Sequence, residues 1–145
     1  MKENLYISTP KGSTLQNKKS CRLDEIDYTT IVDVSAPHHA NIWFEQILRE
    51  SMINFQYHSK LDMDTFISIW ETTPFSFVTT SLYINYKKYA NGFKKHRNIT
   101  KIDTPHASRK VYLFYNDNSF MDLAPLIKVF IKSFYEQFCT TKSNL

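Results

Sequence analysis

Apolar and polar positions along this chain follow two different periods, and the switches between them mark its elements. Arg109-Lys-Val-Tyr-Leu-Phe-Tyr115 predicts a strand with Val111, Leu113 and Tyr115 on one face and Tyr112 and Phe114 on the other. A strand apolar on both faces belongs inside a sheet covered by helices. After the polar loop Asn116-Asp-Asn-Ser119, the positions Leu123, Leu126, Ile127, Phe130, Ile131, Phe134 and Phe138 form one stripe, which predicts a closing amphipathic helix to Cys139. Upstream, Asn4 to Ser8 reads as a short extended segment, and Thr9 to Thr14, with Pro10 and Gly12, as a turn. Cys21 to Asp27 predicts one helical turn, and the β-branched run Tyr28 to Val34 a strand. Pro37 suits the first turn of a helix capped by Ser35, with Trp43, Phe44, Ile47 and Leu48 on one face.

Ile53 to Tyr57 alternates and predicts a second strand. An aspartate in Asp62-Met-Asp-Thr65 caps a helix that buries Phe66, Ile67, Ile69 and Trp70 and ends at Thr73-Pro74. Phe75 to Thr79 predicts a third strand, Thr80 to Ala90 a helix, and Asn91-Gly92 its stop, with glycine tolerating positive φ. Ile99 to Ile102 predicts a further short strand. Alternation of this kind implies an α/β domain with a largely parallel sheet and helices on both faces.

The 145 residues suit one domain, and 42% apolar with 15% aromatic residues suffices to fill a core. Only two glycines occur, Gly12 and Gly92, and neither lies in a glycine-rich phosphate loop, which disfavours folds that bind nucleotides that way. Cys21 and Cys139 lie far apart and make no C-x-x-C unit, so a structural zinc site is not expected. The N-terminal stretch has no apolar run of signal-peptide or membrane-span length, and a cytoplasmic location is expected.

The net charge of +4 is compatible with nucleic acid but does not require it. The basic, aromatic-interleaved segment Tyr86 to Arg97 is the best nucleic-acid candidate, through Lys87, Lys88, Lys94, Lys95 and Arg97. The competing account is a solvated helix end whose cations complement the helix dipole. His38 and His39 are neighbours that diverge by about 100° on a helix, with no carboxylate at i+3 or i+4, so no metal site is expected there. No nucleophile elbow or paired-carboxylate signature points to an enzyme, and no cofactor is expected.

The order of several degenerate motifs resembles the effector-binding domain of LysR-type transcriptional regulators. Glu3 to Leu15 and Lys19 to Ile26 stand where that family has its "lvlv…hpla" and "sLedL…pfi" segments. The helix Trp43 to Leu48 precedes Met52-Ile53 as the family helix precedes its "gi" turn. Met63 to Leu82 resembles "v..tdlia.vp..la", and Val111 to Asp117 with Leu126 to Phe138 resembles the "iylyw" strand and closing helix.

The resemblance implies an incomplete three-layer domain like the periplasmic binding proteins, with about 9–114 as the second subdomain and 116–139 as the closing helix. It places a small, anionic effector against strand ends and helix starts, at Ser35, His38, His39, Lys60, Leu61, Met63, Thr79 and Thr80. The same residues also serve as ordinary helix caps and solvated loops. Two departures stand out: Glu71 to Phe77 lacks the family's glycine, and no helix-turn-helix or first subdomain precedes the region. A truncated regulator, a gene remnant and a likeness of fold alone all fit. Direct DNA binding by the chain is not expected, whereas a homodimer, or a heterodimer with a regulator, is.

Overall fold

The first strand, β1 (Lys2–Pro10), organises the sheet although its polar residues suggest only a short extended segment. The computed structural model describes residues 2–34, 40–85, 91–92 and 95–112, together with positions 125, 129, 130, 132 and 133. The other strands are β2 (Ser20–Cys21), β3 (Asp33–Val34), β4 (Lys60–Leu61), β5 (Phe77–Thr80), β6 (Arg97–Ile102) and β7 (Ser108–Lys110). The helices are α1 (Ala40–Glu50), α2 (Met63–Ile69) and α3 (Ser81–Asn85).

The strand order β2-β6-β1-β5 forms the main ladder, and β3 pairs with β4 beside it. A parallel bridge between Ile31 and Ser76 joins the two, reinforced by Val32 N–H to Ser76 O and Ser76 N–H to Thr30 O, each 2.9 Å. β2 is parallel to β6 and β3 to β4, whereas β1 is antiparallel to β5, β6 and β7. Among the described residues the other strands therefore run one way and β1 runs against them. The α/β class holds, with the correction that the centre of the sheet is antiparallel.

Side-chain alternation separates two layers of core. Leu5, Ile7, Ile31 and Val78 face α1, where Phe44, Ile47 and Leu48 are buried. Val32, Val34 and Phe77 face the opposite way, toward Trp70, Phe66 and Met63 around α2. The α1 face was legible from its spacing. So was the α2 cap: Asp62 accepts from the Thr65 amide at 2.8 Å and from the Thr65 hydroxyl at 2.7 Å.

Several sequence expectations are corrected. Tyr28–Thr30 forms a 3-10 turn instead of continuing a strand, because Asp27 accepts from the Thr29 amide and caps it. Ile53 to Tyr57 forms no strand and joins no ladder among the described residues. Ile67 is 50% exposed on the outer side of α2. Asn91 and Gly92 are helical, and Gly92 has no positive φ. Its missing side chain serves packing: a Cβ there would meet the Trp70 indole at 2.5 Å and the Glu71 carboxylate at 2.7 Å. Of the expected strand 109–115, only Arg109 and Lys110 belong to β7, at its exposed end, and Tyr112 is 63% exposed. Residues 113–115 and most of the closing helix lie outside the described residues. Within that helix Phe130 is 56% exposed, not buried.

Cys21 sits in the α1-side core at 1% exposure. Burial, then the Glu25 and Asp103 carboxylates, push its thiol up to about 11, against a smaller opposing effect of Lys18. Burial, with Cys21 and Asp24 adding to it, likewise pushes the Tyr28 phenol up to about 12. Both groups titrate later when folded, so their contribution to stability is complete below pH 9.0 and is lost as pH rises through about 11 and 12. The urea midpoint is expected to fall steadily above pH 9. Cys21→Ala is expected to remove the earliest part of that fall, and an unchanged profile in this variant refutes the assignment.

Candidate functional site

Because β3, β4 and β5 run the same way, their C-terminal ends and the residues that follow them share one edge of the sheet. The described residues at this edge are Asp33 and Val34 of β3, Lys60 and Leu61 of β4, and Thr79, Thr80 and Ser81 where β5 passes into α3. β1 enters and β7 leaves at the same edge, with Lys2 opposite Lys110 and Asn4 opposite Ser108. The geometry follows from the sheet direction alone and needs no special loop.

A polar cluster joins β3, α1 and β4. Asn41, in the first turn of α1, donates its side-chain amide to Asp33 Oδ1 at 2.5 Å and to the Val34 carbonyl at 3.2 Å. Lys60 Nζ lies 4.0 Å from the other Asp33 oxygen, with most of its side chain exposed. Lys60 is thus an accessible cation held at the edge. Leu61 and Met63 are half-buried and pack on the Val32–Trp70 core, so they line the edge as apolar surface.

Thr79 and Thr80 are almost fully buried, and the Thr80 hydroxyl has no hydrogen-bond partner among the described residues. On the neighbouring strand the Asn4 side-chain oxygen is likewise buried and has no partner among the described residues, while the Asn4 backbone N–H donates to Ser81 Oγ at 3.0 Å. Thr80 lies opposite Leu5, so it shares the α1 face, and Asn4 points to the other face. Two unsatisfied polar atoms at one edge are costly, on the order of 1–3 kcal/mol each, and such atoms call for a functional account.

The edge is braced by Arg109 of β7. Its Nε donates to Glu3 Oε2 at 2.7 Å, and its guanidinium lies 4.4 Å from the Trp43 ring centre on α1. Glu3 is buried in the strand, and the Trp43 indole donates to the His106 carbonyl at 2.8 Å. The entering and leaving strands are therefore fixed to α1.

Of the eight effector candidates, Lys60, Leu61, Met63, Thr79 and Thr80 come together at this edge, and Ser35, His38 and His39 lie outside the described residues. Sequence reasoning missed Asn4, Asp33, Asn41 and Ser81, because only the pairing of distant strands brings them there. The signal available in the sequence was a polar residue at a strand end, as with Asp33 in β3 and Ser81 directly after β5.

The nucleic-acid candidates fare differently. Lys87, Lys88 and Lys94 lie outside the described residues, and Lys95 is exposed. Arg97 is corrected: it is 1% exposed and turned inward. It donates to the carbonyls of Thr73 (2.6 Å), Phe75 (2.6 Å) and Ser8 (3.2 Å) and to Ser8 Oγ (3.2 Å), over the Phe77 ring. It is spent on the backbone and offers nothing to a phosphate. Among the described residues no group of three or more His, Cys, Asp or Glu side chains gathers to hold a metal, and no helix is long and apolar enough to cross a membrane.

No family model and no curated protein matches the sequence. Solved structures do match by shape. Full-length CbnR, a LysR family transcriptional regulator, in complex with its target DNA, has a TM-score of 0.57 at 13% identity over 92% of this chain and 44% of that one. The effector-binding domain of QuiR in complex with shikimate has a TM-score of 0.55 at 14% identity, over 85% of this chain and 60% of that one. The reduced OxyR regulatory domain from Pseudomonas aeruginosa has a TM-score of 0.54 at 12% identity, over 92% and 61%. The chain thus spans between 44% and 61% of the length of these three. The neighbours are regulators, not enzymes, and the chain shares the fold of the effector-binding domains of LysR-type regulators.

Proposed function

We propose that this chain is the ligand-sensing module of a LysR-type transcription regulator, holding a small effector at the strand-end edge and acting through a partner subunit. One observation supports the reading: the buried Thr80 hydroxyl, without a hydrogen-bond partner among the described residues, lies at the strand-end edge that also carries Ser81 and the Lys60 ammonium. These groups suit a small hydroxylated acid, one hydroxyl of which supplies the partner that Thr80 lacks and whose carboxylate faces the lysine. Ser35, His38 and His39 directly follow β3 in the chain and belong to the proposed site.

The test is a panel of small hydroxy acids, shikimate included, scored by the rise in melting temperature and then by calorimetry. At least one acid is expected to bind. Thr80→Val is expected to weaken that binding tenfold or more, since a lost hydrogen bond to a buried group is worth about 1–3 kcal/mol. The same variant without ligand is expected to be at least as stable as the parent, because a methyl replaces an unsatisfied hydroxyl. Binding that survives Thr80→Val, or a panel with no binder, overturns the reading.

A further inference from the structure

A cavity of about 340 Å³ lies at the far end of the sheet from the candidate edge, where the turn after β1 meets the start of β5. Its size is that of a small-molecule site. Pro10 and Pro74 stand in its apolar wall, and four of the hydroxyls that line it form two pairs. Thr9 is paired with Ser13 at 2.7 Å, and Thr30 with Ser76 at 3.0 Å. β1 and β5 bring the pairs together. Ser8 lies opposite Phe77, and the next step of that register sets Thr9 level with Ser76, on neighbouring strands about 5 Å apart. Thr9 and Ser76 are both buried, at 4% and 3% exposure.

The protons of these hydroxyls can be counted, since each has one to give. Thr30 gives its own to the Asp27 carbonyl at 3.1 Å, so the proton between Thr30 and Ser76 comes from Ser76. Ser76 Oγ is then a buried acceptor whose lone pairs have no donor among the described residues. In the other pair one proton lies between Thr9 and Ser13 and a second is left over, while Asn98 Nδ2 donates to Thr9 Oγ1 at 3.3 Å. The cavity thus presents an unused acceptor and an unused donor. A ligand hydroxyl answers both, donating to Ser76 and accepting from the Thr9–Ser13 pair. An ionised carboxylate has no proton for Ser76, and an ammonium has no lone pair for the other hydroxyl. Lys11 and Asp27, both exposed, line the mouth with opposite charges, which favours a neutral ligand.

We propose that this cavity binds a small neutral polyol, a sugar or sugar alcohol, with its carbon chain against Pro10 and Pro74 and its hydroxyls on Ser76 and Ser13. The site is separate from the effector edge and does not rest on that reading: Ser76 directly precedes β5 and Thr80 ends it, about 13 Å along the strand.

Amide NMR of the 145-residue chain tests the proposal, with ribitol, glucose and myo-inositol as probes and sodium acetate as the ionic control. At least one probe is expected to shift the amides of Ser13, Thr14 and Ser76 saturably, with a dissociation constant on the order of 1 mM, because a few hydrogen bonds only exchange for those to water. Acetate is expected to leave them in place. Ser76→Ala removes the acceptor and Ser13→Ala the pair that holds the spare proton, and each is expected to weaken binding at least tenfold. The dispersion of the spectrum shows whether a variant folds, and Ser13, half-buried in the turn, keeps the test decisive if Ser76→Ala does not. Thr80→Val is expected to leave polyol binding unchanged. The absence of saturable shifts with every probe overturns the proposal, as does binding that survives either serine substitution in a folded chain. Acetate binding at the same amides overturns it too, and so does a loss of polyol binding in Thr80→Val, which places the polyol at the effector edge.

Discussion

Arg97→Met is expected to lower the unfolding free energy by about 4 kcal/mol, read from urea denaturation at neutral pH. The estimate rests on what the guanidinium leaves behind. The carbonyls of Thr73, Phe75 and Ser8 lose their donor inside the protein, and the methionine cannot replace it. Burial pulls the Arg97 pKa down to about 10, which still leaves the group charged at neutral pH. No carboxylate pairs with it among the described residues, so the backbone carbonyls and the Phe77 face are what solvate the charge. Arg97→Lys is expected to recover less than half the loss, because one ammonium cannot span carbonyls that the planar fork reaches together. A domain of this size has roughly 5–15 kcal/mol in all, so the methionine variant approaches the limit of folding. A loss under 1 kcal/mol refutes the role assigned to this side chain.

Phe44→Ala is the second large effect, expected at about 3–5 kcal/mol. Phe44 is fully buried beneath α1, its ring 6.4 Å from that of Tyr28 and 5.8 Å from that of Phe55. Truncation removes the ring contacts and leaves a cavity that Ile47 and Leu48 cannot close without moving the helix. Phe44→Leu keeps most of the volume and is expected to cost about 1.5 kcal/mol. The two variants measured by denaturant midpoint separate packing from mere apolarity. Equal losses for alanine and leucine would show that the ring geometry, not the filled volume, governs this core.

How far the sequence could be read depended on the range of the interactions involved. α1 and the Asp62 cap were visible because both are local: an apolar spacing, and an aspartate three residues before the amide it accepts from. β1 was underestimated because Glu3, Ser8 and Thr9 look like surface residues. They are buried because Arg109, Arg97, Asn98 and Ser13, far along or just beyond the strand, satisfy them. Arg97 was placed among surface cations for the complementary reason, since charge alone says nothing of the carbonyls that surround it. Ile67 was assigned to the core because Phe66, Ile67, Ile69 and Trp70 crowd more of the wheel than one face can bury. The candidate edge was half legible. Lys60, Leu61, Met63, Thr79 and Thr80 follow from strand ends, while Asn4 arrives from 76 residues away through the Leu5–Thr80 pairing.

The position of β1 also bears on the order in which this protein assembles. Its central strand is synthesised before its partners, Phe77–Thr80 and Arg97–Ile102, which come last among the strands of the main ladder. Until they emerge, both edges of β1 lie open, and the closing of so long a stretch of chain is what sets a slow folding rate. During translation the protein therefore passes through a stage in which the strands that flank β1 are absent and an exposed strand edge is free to pair with other nascent chains, the interval in which a chaperone matters most.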